Sequence, residues 1–112
     1  MIDLLHIAPR QDWLKAVEEG SYAADSLAGQ GFIHCSTPAQ ISEVANRYYR
    51  GQTGLVLVCI DSGRVQPEIH HENLEGGVEL YPHIYGPLNL DAVVKVIEIE
   101  SGEHGYFKIN IP

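Results

Sequence analysis

At 112 residues, 45% of them apolar, the chain is sized for one domain, 1–112, around one core, and a two-domain enzyme is excluded. Seven Lys and Arg against fifteen Asp and Glu, a formal charge of -8, repel phosphate backbones and argue against nucleic acid as a partner. No basic leader follows Met1 and no run approaches the ~18 apolar residues of a membrane span, so a soluble protein with no membrane partner is expected, and the isolated Cys35 and Cys59 fit free thiols in a reducing, cytoplasmic compartment.

The apolar segment 2–7, bounded by Pro9, predicts a strand whose alternation puts Leu4 and His6 on one face. Pro9 suits the first turn of a helix, and Trp13, Leu14 and Val17 recur at helical spacing until Gly20, which predicts a helix over 9–19. The stretch 24–30 reads as a loop and 32–35 as a short strand. Thr37 then reads as an N-cap, with Pro38 at the first helical position and Gln40 closing a capping box. Ile41, Val44, Ala45 and Tyr48 carry that helix, predicted over 37–50, to Gly51.

Leu55 to Ile60 is a continuous apolar, β-branched run and predicts a central strand. A strand weakened by Pro67 follows over 65–71, then a turn at 75–77 and an extended segment over 79–85 ending at Gly86-Pro87. The last elements form a hairpin, 92–100 and 106–111, joined by a turn at 101–105. Two helices near the N-terminus followed by strands define an α+β domain. Ile33, Cys35, Val44, Leu55, Leu57, Val94 and Val96 are expected in its core.

Six histidines draw attention to particular strands. His6, at a strand end, fits either a hydrogen-bonded structural residue or a ligand contact. Alternation sends Phe32, His34 and Ser36 to one face and Ile33 and Cys35 to the other. Ser36 and Thr37 also precede a helix N-terminus, where free N–H groups favour an anion such as a pyrophosphate, while serving as caps. A nucleophilic Cys35 is disfavoured because its histidine neighbour points to the opposite face, and a metal site is disfavoured because the cysteines are isolated and His70 and His71 diverge. Period 2 places Glu79, Tyr81, His83 and Tyr85 on one surface, a carboxylate, an imidazole and two phenols together, either as a ligand-facing wall or as a solvated sheet face.

Three strings carry a resemblance: Leu5-His6-Ile7 with Trp13; Gly31-Phe32-Ile33-His34-Cys35-Ser36-Thr37 with Val44-Ala45-Asn46-Arg47-Tyr48-Tyr49; and Pro82-His83-Ile84-Tyr85-Gly86-Pro87-Leu88. Over nearly the whole chain they resemble the small bacterial domain of unknown function 952, which is distantly similar to the ADP-ribosyltransferase fold. That resemblance implies an ADP-ribosylation-like fold, two N-terminal helices packed on a split antiparallel half-barrel with NAD in a cleft. His6 resembles the ribose-contacting histidine of the poly(ADP-ribose) polymerase branch, and His34 stands where a nicotinamide-stacking tyrosine is expected. Tyr81 falls nearest the register of that branch's glutamate, with Glu79 two residues earlier. The expected ligand is NAD or an ADP-ribose-like nucleotide, contacted by His6, His34, Ser36, Thr37, Tyr81 and Tyr85, with Glu79 and His83 as catalytic groups in ADP-ribosyl-transfer-type chemistry. Its pyrophosphate is expected at the start of the helix at Thr37 or Pro38. The alternative is a non-catalytic small-metabolite binding or interaction module on the same fold. With arginine only at positions 10, 47, 50 and 64, the chain lacks the cations that RNA-acting relatives of this fold need.

Overall fold

The structure is a computed structural model that describes residues 1–73 and 77–109. Strand β1 (Leu4–Pro9) runs directly into helix α1 (Arg10–Glu19), the change of direction coming at Pro9. Strand β2 (Ser21–Tyr22), helix α2 (Asp25–Gln30), strand β3 (Ile33–His34), helix α3 (Ile41–Tyr48) and strand β4 (Leu55–Ile60) follow. Four more strands follow among the described residues: β5 (Glu68–Glu72), β6 (Tyr81–Tyr85), β7 (Leu88–Asn89) and β8 (Val93–Ile99). The result is a mixed fold of antiparallel sheets with three α-helices among the described residues, rather than the two helices expected.

The additional helix, α2, lies where 24–30 reads as a loop. Six residues are too few to display a period, and Gly29 and Gly31 look like loop punctuation. Gly31 instead closes the helix: it takes a φ of 88° and donates its N–H to Leu27 O at 3.0 Å, a left-handed end that glycine adopts without strain. Helix α3 starts at Ile41 rather than 37, because 37–40 forms a tight turn first. Thr37 O accepts from the N–H groups of Gln40 and Ile41 at 3.0 and 3.1 Å, and Gln40 Oε1 accepts from Thr37 N–H at 3.0 Å, the return half of a capping box.

Strands β5 and β6 begin later than expected, at Glu68 and Tyr81. The expected turn at 75–77 lies mostly outside the described residues. The return strand expected over 106–111 is reduced to one bridge between Ser101 and Phe107 around a short turn at Glu103–Gly105, and 110–112 also lie outside the described residues.

Two three-stranded sheets, ordered β1-β4-β8 and β3-β6-β5, and a small β2-β7 pair make up the β structure. Strand β4 is buried throughout, and its two faces supply two cores in strict alternation. Val56, Val58 and Ile60 join Leu4, Ala8, Ile33 and Ile84 in the core between the large sheets. Leu55, Leu57 and Cys59 join Leu5, Ile41, Ala45 and Phe107 beneath α3. Ile33 and Cys35 are buried as expected, whereas Val44 and Val96 are half-buried and Val94 is 47% exposed. The Val94 expectation fails because the β4–β8 register slips: Cys59 faces Lys95 while Ile60 faces Val93. Val94 is thus the extra residue of a β-bulge, and alternation does not carry across it. Both cysteines are buried free thiols, and burial pushes the Cys35 thiol up to about 12, which leaves it inert as a nucleophile near neutral pH. No helix among the described residues is long and apolar enough to cross a membrane.

Candidate binding cleft

The cleft opens where the two large sheets part. Leu5 and Ser36 exchange reciprocal backbone bonds of 2.8 Å, an isolated bridge between β1 and the segment after β3. Beyond it the backbones separate, and the side chain of His6 fills the gap. Its Nδ1 lies 2.5 Å from His34 O. Because a carbonyl oxygen only accepts, Nδ1 carries the proton and Nε2 is left to accept from the Tyr22 hydroxyl, 2.7 Å away. Burial holds His6 down to about 4, so the ring is neutral near pH 7. Tyr22 is pushed upward by its own burial and then by the negative charge of Asp12, so its hydroxyl remains a proton donor.

A wall of rings forms on the β3-β6-β5 sheet. Ile33, Ile84 and Ile69 are in register on the core face, and His34, His83 and His70 are in register on the other. The Cys35 N–H donates to Pro82 O at 3.0 Å, which puts His34 and His83 in the non-hydrogen-bonded register where opposed side chains come closest. Pro82 can occupy this central strand because its missing N–H falls beyond the end of β3. The His34 and His83 rings meet edge to face at 5.3 Å, and Phe32 stacks on His83 at 4.2 Å. His34 Nε2 contacts Gln30 Oε1 at 2.6 Å.

His83 is only 4% exposed, and its Nδ1 lies 3.0 Å from Glu72 Oε1. The Tyr85 hydroxyl donates to the same oxygen. Glu72 faces Tyr81 across the strand pair and reaches diagonally to His83, within the span of long cross-strand side chains. The Tyr85 hydroxyl first, and then His83, hold the Glu72 carboxyl below its usual range.

The resulting cleft has a volume of about 690 Å³. His6, His34, Ser36, Tyr81 and His83, singled out from the sequence, all line it. Glu79, Thr37 and Tyr85 do not. Glu79 is exposed, lies before β6 and meets the Tyr81 hydroxyl instead. Thr37 N–H is occupied by Gln40, and Gln40 and Ile41 N–H by Thr37 O, so these three of the donors near the expected pyrophosphate position are already used. Tyr85 acts behind the wall, through Glu72.

Glu72, Tyr22, Asp12 and Asp25 are functional candidates that sequence reasoning passes over. Glu72 alternates with Glu68 and His70, but its meeting with His83 depends on strand pairing that no local pattern reveals. Three carboxylates, Asp12, Asp25 and Glu72, line the cleft, and no Lys or Arg does among the described residues. Among the described residues no three His, Cys, Asp or Glu side chains group as a metal site.

Residues 7–96 match the family described as Protein of unknown function (DUF952), and the chain belongs to that family. It is similar to the crystal structure of protein CC0527 from Caulobacter crescentus, with 27% identity over 94% of this chain and 92% of that one and a TM-score of 0.84. The solution NMR structure of CC0527 gives 28% identity over 95% of this chain and 91% of that chain, with a TM-score of 0.81. No curated protein matches the sequence significantly.

Proposed function

We propose that the cleft binds NAD or an ADP-ribose-like nucleotide, with the nicotinamide riboside end of NAD innermost. The observation that carries this reading is the character of the lining: rings of His34, Phe32, His83 and Tyr81 beside the carboxylate of Glu72, with no cationic side chain. A planar, positively charged pyridinium is complementary to aromatic faces and a carboxylate. Ribose hydroxyls are complementary to Asp12 and Asp25, since carboxylates accept two such bonds. The diphosphate, which meets no Lys or Arg among the described residues that line the cleft, extends toward solvent. The cleft volume of about 690 Å³ lies within the roughly 300–1,000 Å³ of small-molecule sites. A distant relation to ADP-ribosyltransferases belongs to the same proposal, supported by two antiparallel sheets that part at one bridge beside the cleft.

Calorimetric titration with NAD, nicotinamide riboside and ADP-ribose tests this. NAD and nicotinamide riboside are expected to bind more tightly than ADP-ribose, which lacks the cation. His34→Ala and His83→Ala are each expected to weaken NAD binding about 5- to 150-fold, the effect of ~1–3 kcal/mol of lost polar contact. The all-acidic set of charged lining residues also favours a second reading, a non-catalytic module for a small metabolite without phosphate. Absence of heat with all three compounds would select it.

A further inference from the structure

We infer that Glu72 and His83 form an acid–base pair at the cleft wall, with Glu72 as the positioning residue and His83 Nε2 presented to the ligand as a proton acceptor. The inference rests on the reading of this cleft as a binding site, and it adds a carboxylate that lies outside every motif in the sequence.

The geometry determines which nitrogen is available. Glu72 is held ionised by the Tyr85 hydroxyl and by His83, and a carboxylate only accepts, so His83 Nδ1 carries a proton. Whenever the ring is neutral, its lone pair is therefore on Nε2. Among the described residues, Nδ1 to Glu72 is the hydrogen bond that the His83 side chain makes. Phe32 covers one face of the ring at 4.2 Å with an interplanar angle of 22°, and His34 meets it edge to face at 5.3 Å. The ring is thus clamped by a stack, an edge contact and a carboxylate, with its one unbonded nitrogen on a residue that lines the cleft. A carboxylate that fixes one imidazole nitrogen leaves the other as a general base and stabilises the imidazolium that forms.

The class of chemistry follows. A hydroxyl or water held in the cleft loses its proton to the Nε2 lone pair as its O–H bond breaks. The oxygen keeps the bonding pair and attacks an electrophilic carbon of the bound molecule, the bond from that carbon to the leaving group breaks with its electron pair going to the leaving group, and Nε2–H gives up its proton to that group, or to water where the group departs neutral. Glu72 keeps its charge throughout and His83 is regenerated, so no oxidant or other co-reactant is required.

Two measurements on the ligand-free protein test the pair. Long-range ¹H–¹⁵N correlation of the imidazole groups at pH 7.5 reads the tautomer of His83. The wild type is expected to show the Nδ1–H form, and Glu72→Gln, which keeps an acceptor oxygen, is expected to retain it. Glu72→Ala is expected to move His83 to the Nε2–H form that an unconstrained histidine favours. Diethyl pyrocarbonate, read out by mass spectrometry, probes the lone pair. Nε2 bonds to a carbonyl carbon, ethyl carbonate leaves, and the Nδ1 proton is lost. His83 of the wild type is expected to react several-fold faster than His83 of Glu72→Ala. An Nε2–H tautomer in the wild type, or no carbethoxylation of His83 while exposed His71 and His104 react, would overturn the inference. If Glu72→Ala does not fold, the wild type and Glu72→Gln still decide it. Failure of NAD to bind would leave both readouts unchanged and would count against the proposed ligand alone.

Discussion

At His6 a neutral ring substitutes for the backbone pairing that is lost where β1 and β3 part, and this makes the fold sensitive to acid. In the unfolded chain His6 binds its proton near the ordinary 6.5, and in the folded chain only near about 4. The folded-state value is depressed, so the contribution to stability is fully present above 6.5 and is lost as pH falls toward 4. Over that window it amounts to roughly 3 kcal/mol. Urea unfolding at a series of pH values is expected to show stability falling from pH 6.5 to 4.5, and His6→Gln, which does not titrate, is expected to flatten most of that slope. A wild-type curve that is level across this range would contradict the burial of a neutral His6. Glu72 and Asp61, both held below the usual carboxylate range, add acid sensitivity of the same sign at lower pH. His6 was readable as a strand histidine, with its structural and ligand roles both open, and the structure joins the two: it bridges His34 O to Tyr22 and also lines the cleft. Tyr22 was not readable, because a two-residue strand carries no period.

Among the elements, those with long or uniform patterns were legible and those that depend on partners were not. Strand β4 matches its expected bounds because a six-residue apolar run buried on both faces needs no partner to be recognised. Helix α2 and the start of α3 depart from the sequence expectation because short helices and tight turns draw on the same residues, Gly29 and Gly31 at α2 and Thr37 and Pro38 before α3. Strand β8 was located, but its faces were misassigned past the bulge. This error makes a direct test. Val94 is 47% exposed while Ile84 is fully buried in the core between the sheets. Val94→Thr is expected to change unfolding free energy by less than about 0.5 kcal/mol, as surface substitutions do, and Ile84→Ala is expected to cost about 2–5 kcal/mol through lost burial and the cavity left behind. Comparable losses from the two substitutions, measured by chemical denaturation, would place Val94 in the core after all.

For the molecule as a whole, a formal charge of -8 and a cleft whose charged lining is acidic set a particular electrostatic expectation. A nucleotide held by Lys or Arg loses affinity as salt rises. Here the long-range force on an anionic nucleotide is repulsive, and salt at physiological strength screens it beyond about 8 Å. The affinity for NAD is therefore expected to stay level or rise from low to physiological ionic strength, and a steep fall in a calorimetric series would mean that a cation holds the phosphates. The gathering of His6, His34 and His83 was implied by the family resemblance, which sets their three segments around one cleft; strand position and neighbours mark each histidine singly but do not bring them together. The carboxylate was not legible, because Glu72 reaches His83 across a sheet register that joins residues eleven apart. The central claim, that this histidine wall receives the nicotinamide end of NAD, is tested most directly by following all six imidazole groups by ¹H–¹⁵N NMR while NAD is added. His34 and His83 are expected to shift and saturate together, with His71 and His104 unmoved; a titration in which neither His34 nor His83 responds, or in which His71 and His104 alone do, would contradict it.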